Sequence, residues 1–188
     1  MKHQYFAFYK PYGTLSQFVN HGDGKRHHKL IGDWGEFPEG TMAVGRLDRD
    51  SEGLLLLTTD GKFSEQQRAK SVEKEYWVQV DGVPEEEQLV QLRNGLALSH
   101  KGKTYQTRPC QAWQMDAPVI PQRGKNVRSD RHGPSSWLKI IITEGKFRQV
   151  RKMTAKVGFP TLRLFRYRVG EYELGDLAVG EFRTIEPK

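Results

Sequence analysis

The chain has 188 residues, a single cysteine and a formal net charge of +7 at pH 7. This length accommodates one ordinary domain, or two intimately packed halves, with a real hydrophobic core. The basic balance favours a polyanionic partner such as nucleic acid, although charge alone also permits an acidic membrane surface or mere solubility. The lone Cys110 excludes an internal disulfide and fits a reducing compartment. No stretch approaches the roughly 20 apolar residues of a membrane span, so we expect a cytoplasmic protein without membrane contact.

Strands and helices are predicted from hydrophobic periodicity and from proline and glycine punctuation. Strands outnumber helices and are joined mostly by turns or long loops, which favours an α+β fold with a largely antiparallel mixed sheet. In chain order we predict a strand at 5–9, a loop at 20–29, a strand at 54–57, a helix at 62–70, a strand at 74–81, a helix from 84 to about 95, a loop at 116–135, a strand at 137–143, a helix at 146–157 and a strand at 161–169.

The loop at 20–29 contains His21, His27 and His28. Three histidines could indicate a metal site, but no cysteine pair or His-Glu-x-x-His helix accompanies them. We therefore predict no metal and interpret these histidines as solvated or facing RNA.

The loop at 116–135 combines prolines and glycines with basic side chains that include Arg123, Lys125, Arg128 and Arg131. Such a long segment is either a solvated linker or an arm that grips nucleic acid. The residues leave both interpretations open.

Residues 45–61 carry the most chemical information, because a loop crowded with charge runs directly into Leu54–Leu57. Four consecutive leucines indicate a strand buried on both faces, which anchors the loop to the interior. On spacing alone, Asp48 and Asp50 could simply pair with Arg46 and Arg49 to fix a turn. Alternatively, an ionised carboxylate on a rigid mount is what a nucleophile or general base requires.

On the predicted helix at 146–157, Phe147, Val150, Met153 and Val157 gather on one side and Arg148, Lys152 and Lys156 on the other. The basic side is either a solvated face or a set of phosphate contacts. Arg151 lies at the margin of the apolar side. It either extends to water or turns inward toward a carboxylate.

Four segments in order resemble the pseudouridine synthases, specifically the branch that modifies ribosomal RNA. The stretch Gly-Arg-Leu-Asp at 45–48, followed by Ser51, Gly53 and Leu-Leu-Leu-Leu-Thr, is similar to the catalytic-loop signature of that family. The other three are similar to its Lys-Pro-x-Gly, Lys-x-Tyr and basic-helix motifs, and they lie at 9–13, 74–78 and 144–153. The resemblance spans roughly residues 5–185.

The resemblance implies an α+β pseudouridine synthase fold with a central active-site cleft flanked by helices and loops. Because the Lys-Pro-x-Gly segment begins at Lys10, we expect residues 1–188 to form a single catalytic domain without the separate N-terminal RNA-binding domain of many relatives. The expected substrate is a uridine in large-subunit 23S ribosomal RNA. The alternatives are another RNA, either 16S rRNA or tRNA, and a non-catalytic RNA-binding protein of ribosome assembly.

The resemblance also assigns roles to residues. Asp48 is the catalytic carboxylate, acting as nucleophile toward the sugar or the base, or as a base at C2′. Arg151 is its expected partner, with Arg148 as the alternative, and the ring of Tyr76 stacks on the target base, although Tyr76 could equally be an ordinary core tyrosine. Expected RNA-binding residues are Arg46, Arg49, Lys10, Lys74, Arg148 and Lys152. We expect a monomer that needs neither a metal nor a small-molecule cofactor.

Overall fold

The computed structural model describes residues 2–19, 28–123, 127 and 133–188. The chain divides into two compact units, one formed by Met1–Val72 with Arg166–Lys188 and the other by Glu73–Phe165. We call them unit 1 and unit 2.

Unit 1 is built on an antiparallel sheet in which β1 lies between β3 and β11. The short strand β2 pairs with β3, and β10 pairs with the end of β9. Its elements are β1 (Tyr5–Lys10), a 3-10 helix (Ile31–Trp34), β2 (Met42–Ala43), β3 (Glu52–Thr58), α1 (Gly61–Arg68), β10 (Tyr172–Glu173) and β11 (Phe182–Thr184). Strand β9 as a whole is Thr161–Val169, and its part from Arg166 onward belongs to unit 1.

Unit 2 is built on the antiparallel order β4-β8-β7 and carries a separate hairpin of β5 and β6. Its elements are β4 (Lys74–Asp81), α2 (Glu86–Asn94), β5 (Ala97–His100), β6 (Lys103–Gln106), β7 (Gln111–Met115), β8 (Ser135–Ile142), α3 (Gln149–Lys156) and the first part of β9. Antiparallel sheet with helices in both units confirms the predicted α+β class.

Local sequence explains the elements that frame the site. All seven residues of β3 are buried, as its four leucines predicted. Immediately after β3, Asp60 caps α1 by accepting a hydrogen bond from the backbone N–H of Lys62 at 2.9 Å. Strand β4 has the predicted bounds, and its alternate residues Val78 and Val80 are fully buried.

The predicted helix at 146–157 is wrong at its start, because α3 begins at Gln149. Arg148 precedes it in the left-handed region with φ of 51°, which a continuing α-helix does not allow. Phe147 therefore does not join the apolar side of the helix and is 57% exposed. For the same reason Arg148 does not continue the row formed by Lys152 and Lys156.

Part of the loop at 116–135 falls outside the described residues, including Lys125, Arg128 and Arg131, as do His21 and His27. The described residues 116–123 contain no helix or strand, and Val119 is fully exposed. No helix in the described part of the chain is long and apolar enough to span a bilayer.

Candidate active site

Asp48 lies in a loop of unit 1 that joins β2 to β3, and we call residues 44–51 the Asp48 loop. Its first residue, Val44, donates its backbone N–H to the carbonyl of Leu56 at 2.8 Å, which ties the loop to β3. At its end, Ser51 donates its backbone N–H to the carbonyl of Asp48 at 3.0 Å and closes a turn. Asp48 itself is half-buried.

The segment that follows β1 holds the Asp48 loop on both sides of the carboxylate. The hydroxyl of Ser16 accepts from the backbone N–H of Leu47 at 3.0 Å and donates to its carbonyl at 2.8 Å. On the other side, the backbone N–H of Gly13 donates to the carbonyl of Arg49 at 2.8 Å. Both neighbours of Asp48 are thus fixed through their backbones, which restricts where the carboxylate can point.

Lys10 supplies a third contact to this loop from inside the protein. Its side chain is fully buried, and its ammonium donates to the carbonyl of Ser51 at 2.7 Å and to that of Pro11 at 3.1 Å. A longer contact of 3.5 Å reaches the carbonyl of Arg49. The ammonium of Lys10 is therefore hydrogen-bonded to the backbone around the Asp48 loop, and its contact with a phosphate stays a prediction.

Burial lowers the pKa of Lys10 from its ordinary value to about 7, because the surroundings disfavour the charged form. Carboxylates act in the opposite direction, with Glu52 the strongest, followed by Asp50 and Asp48, while the guanidinium of Arg166 lowers the pKa further. Lys10 is thus electrostatically linked to the acids of the Asp48 loop and to Glu52, which is itself buried.

Gly53 is the position at which β3 approaches β9 too closely for a side chain. It has φ of 100°, and a Cβ at this position would lie 2.3 Å from the backbone oxygen of Arg166. The buried Arg166 also donates its Nε–H to the carbonyl of Leu54 at 2.8 Å. The glycine of the motif is therefore required by backbone geometry just after the Asp48 loop.

Arg46 and Arg49 are exposed on the Asp48 loop. A guanidinium nitrogen of Arg49 lies 3.3 Å from Nδ1 of His28. Both arginines are accessible to a polyanion, as their predicted RNA contacts require. Among the described residues, no cluster of three or more His, Cys, Asp or Glu side chains could hold a metal ion.

In unit 2, Tyr76 and Lys74 lie on β4, opposite β8. Tyr76 pairs with Ile140 and is 8% exposed. Lys74 is buried to the same degree and donates its ammonium to the carbonyl of Thr143 at 3.4 Å. The expected phosphate contact of Lys74 stays a prediction.

The other predicted residues of unit 2 lie on or just before α3. The start of the helix is held by Gln149, whose side chain accepts from the backbone N–H of Lys146 at 3.0 Å and donates to Glu144 at 2.7 Å. Arg151 is half-buried within the helix, whereas Val150 and Met153 face the core. Lys152 donates its ammonium to the carbonyl of Ser99 at 2.9 Å, which joins α3 to β5.

Unit 1 brings together four predicted residues, namely Asp48, Arg46, Arg49 and Lys10. Unit 2 contains the others, which are Tyr76, Lys74, Arg151, Arg148 and Lys152. The central cleft, the pairing of Asp48 with Arg151 and the stacking of Tyr76 remain predictions.

Sequence reasoning missed three residues that hold the Asp48 loop and its supporting strand. Ser16 and Gly13 bind the loop backbone, and Arg166 binds β3 from a distant part of the chain. Gly13 belonged to a recognised motif, which could have indicated its role. Ser16 and Arg166 carry no such signal, since their partners are backbone atoms far away in sequence.

Comparison with known proteins identifies the family of the chain. The RNA pseudouridylate synthase family matches residues 4–156. A Vibrio parahaemolyticus protein named ribosomal large subunit pseudouridine synthase E is 48% identical, covering 95% of this chain and 72% of its own. A Xanthomonas axonopodis protein of the same name is 45% identical, covering 90% of this chain and 87% of its own.

A solved structure described as a pseudouridylate synthase superposes on the whole fold with a TM-score of 0.75 at 26% identity, covering 98% of this chain and 71% of the other. The matched residues include all nine predicted site residues, from Lys10 in β1 to Lys152 in α3. These findings together establish that the chain belongs to the RNA pseudouridylate synthase family.

Proposed function

We propose that this chain isomerises a specific uridine of 23S ribosomal RNA in the large subunit to pseudouridine, with Asp48 as the catalytic carboxylate. The observation that carries the assignment to Asp48 is the backbone contacts on both sides of this residue, made by Ser16, Gly13 and Lys10. The choice of RNA is supported by curated relatives at 43–48% identity that are named for the large ribosomal subunit.

The reaction is an isomerisation. The bond from C1′ of the ribose to N1 of uracil breaks, the base turns, and a bond from C1′ to C5 forms. The base loses the proton at C5 and gains one at N1, so atoms and electrons balance without an oxidant or a reductant. Asp48 acts as nucleophile toward the sugar or the base, or removes a proton at C2′, and each route needs a carboxylate held in place.

We assign supporting roles to two residues of unit 2. Arg151 is half-buried, and a guanidinium in such a position is stabilised by a carboxylate partner, for which we propose Asp48. Tyr76 offers an aromatic ring on the rigid strand β4, and an unstacked base gains free energy on such a ring. The target uridine has to leave its own stack first, as for other enzymes that act on bases.

The decisive experiment incubates the purified protein with large-subunit ribosomal RNA, without any added cofactor, and counts pseudouridine by mass spectrometry. We expect conversion by the native chain and none by Asp48→Asn, which preserves size and removes one ionised oxygen. Asp50→Asn is the matched control, because it changes a second acid of the same loop. Near-normal conversion by Asp48→Asn would show that another group performs the chemistry.

The same assay separates the alternative functions. Small-subunit 16S ribosomal RNA and tRNA, supplied in parallel, identify the substrate if the large-subunit RNA is not converted. A non-catalytic RNA-binding protein of ribosome assembly would bind RNA without converting any of the three. We further propose that the protein acts as a cytoplasmic monomer without a cofactor. Light scattering of the purified protein, with and without RNA, tests its oligomeric state.

A further inference from the structure

The β5–β6 hairpin and the residues around the start of α3 form a surface of unit 2 that the catalytic assignment does not use. We call it the hairpin–helix surface, and it comprises His100, Lys101, Lys103, Lys146, Phe147 and Lys152. Its two segments, residues 97–106 and 146–157, carry seven lysines and arginines and no acid. Four of the seven, Lys101, Lys103, Lys146 and Lys152, belong to the surface itself, which therefore carries positive charge without an acid in either segment.

Specific contacts join the hairpin to the helix and fix the surface. The ammonium of Lys152 donates to the carbonyl of Ser99 at 2.9 Å and lies 3.4 Å from Nδ1 of His100. The ring of His100 in turn lies 5.2 Å from the ring of Phe147. The hairpin is closed by a tight turn in which Lys101 and Gly102 both have positive φ, and this turn presents the two hairpin lysines to solvent.

Phe147 is the unusual member of this surface. It is 57% exposed, although burial of an apolar ring of this size stabilises a folded protein. Arg148 begins the helical turn in a left-handed conformation, which leaves Phe147 outside α3. The ammonium of Lys152 lies 5.5 Å from its ring centre, and Lys146 lies over the ring of Tyr105 at 3.8 Å. The exposed ring of Phe147 therefore lies beside one ammonium, and a second ammonium is held on the hairpin by Tyr105.

Resting on the proposed function, we propose that the hairpin–helix surface binds a single-stranded segment of the substrate RNA, with an unpaired base stacked on Phe147 and the lysines on flanking phosphates. An aromatic ring can stack only on a base whose face is free, which a duplex does not offer. A membrane surface would call for several exposed apolar side chains beside the lysines, whereas Phe147 is the large apolar side chain that this surface exposes. Separated lysines on the same surface as one exposed apolar ring match a phosphate chain with bases between the charges.

The test measures fluorescence anisotropy of a fluorescein-labelled oligouridine single strand and of a labelled hairpin duplex, each titrated with the full-length protein. Stacking contributes about 1–3 kcal/mol per base, so Phe147→Ala is expected to weaken single-strand binding by roughly 5- to 150-fold. Phe147→Trp should retain binding, and Phe147→Leu should lose it, because leucine has a similar apolar character but no ring. Trp113→Ala is the matched control, since Trp113 is another exposed aromatic residue of unit 2, on β7.

A second pair of substitutions tests the charges without touching the ring. Lys101→Gln with Lys103→Gln should reduce the slope of log K against log salt by roughly 0.7 for each lost phosphate contact on a single strand. Both lysines are exposed at a hairpin turn, so the fold should tolerate the change, and a thermal melt followed by circular dichroism checks this.

Three outcomes overturn the proposal: equal loss of affinity from Trp113→Ala and Phe147→Ala, unchanged binding in Phe147→Ala, and equally Phe147-dependent binding of the duplex. The proposed function is judged separately by pseudouridine formation. Isomerisation of large-subunit RNA with Phe147-independent binding refutes the surface alone. Phe147-dependent binding of the single strand without isomerisation of any RNA refutes the proposed function and leaves the surface in place.

Discussion

Replacing Lys10 with methionine isolates what a buried charge does for the Asp48 loop. Methionine has a similar length but neither a charge nor a donor. The replacement removes the hydrogen bonds to the carbonyls of Ser51 and Pro11, at 2.7 and 3.1 Å, and bonds from charged donors contribute roughly 1.5–3 kcal/mol each. It also removes the cost of burying an ammonium, which lowered its pKa to about 7. Because these contributions oppose each other, the pH dependence of the free energy of unfolding is a clearer measurement than its value at a single pH.

The sign of the pH dependence follows from the number of protons that the folded and unfolded chains bind. The folded-state pKa of Lys10 is about 7, whereas the ordinary value in an unfolded chain is 10.5. Between these values the unfolded chain binds more protons than the folded one, so the free energy of unfolding rises with pH and falls as pH drops toward 7. Lys10→Met lacks this titration. From about pH 6.5 to about pH 9, the native protein should therefore gain roughly 2–3 kcal/mol of stability relative to the variant.

Urea unfolding followed by tryptophan fluorescence at a series of pH values measures this difference directly. Lys62→Met is the matched control, because Lys62 is exposed in the same unit and should give curves parallel to those of the native protein. Parallel curves for Lys10→Met as well would refute a depressed pKa at Lys10. Turnover should also fall, by about 10- to 100-fold, because the loop loses a positional contact. A loss confined to RNA affinity would return Lys10 to the RNA-binding role.

The remaining predictions concern single positions in both units. Gly53→Ala should destabilise the protein by at least about 2 kcal/mol in urea unfolding, because the backbone at Gly53 has positive φ and the new Cβ meets the backbone of β9. Gly61→Ala is the control, since Gly61 lies in open space at the start of α1, and it should be neutral or stabilising by up to about 1 kcal/mol. Tyr76→Phe should bind RNA nearly normally but turn over more slowly, whereas Tyr76→Ala should lose both; equal turnover of the Tyr and Phe proteins would make Tyr76 a packing residue. Arg151→Met should reduce turnover and Arg148→Met should reduce RNA affinity, and the opposite split would exchange their roles.

Strands with a strong local pattern were predictable from sequence. The leucine run could pack only as a strand buried on both faces, and it forms the centre of β3. The alternation of Tyr76, Val78 and Val80 gave β4 its bounds because one face is buried and the other is partly solvated. These patterns depend on local spacing, which survives in any tertiary context.

The start of α3 was not predictable, because tertiary contacts decide it. Helical spacing continues back through Lys146 and Phe147 without a proline. The chain is instead held there by Gln149, whose side chain binds the backbone of Lys146 and the carboxylate of Glu144. The β5–β6 hairpin was missed as well, since its strands have only four residues each and alternate weakly. A lysine and a glycine in its turn were the only local signals.

The orientation of Lys10 shows why a motif identifies a residue better than it identifies a role. A lysine in a motif of an RNA-modifying family suggests a phosphate contact, but the partners of Lys10 are backbone carbonyls, and Ser51 is 41 residues away in sequence. A backbone carbonyl is present at every residue and leaves no trace in composition. Only the folded chain shows that the ammonium of this lysine is hydrogen-bonded to backbone carbonyls inside the protein.

The three basic residues of unit 1 that were predicted to bind RNA therefore divide by burial into two groups with separable effects. Lys10 is buried and donates hydrogen bonds to backbone carbonyls, so we expect its removal to displace the Asp48 loop and to reduce turnover. Arg46 and Arg49 are exposed on the same loop, so their removal leaves the loop contacts of Ser16 and Lys10 in place. Glutamine at both arginines should accordingly weaken RNA binding and flatten its salt dependence by roughly 0.7–0.9 per lost phosphate contact, without the pH-dependent loss of stability expected for Lys10→Met. If the arginine variants instead lost stability by the same amount at every pH from about 6.5 to about 9, ion pairs of Arg46 and Arg49 would hold the loop in addition to the carbonyl contacts, because arginine and aspartate both stay ionised over that range.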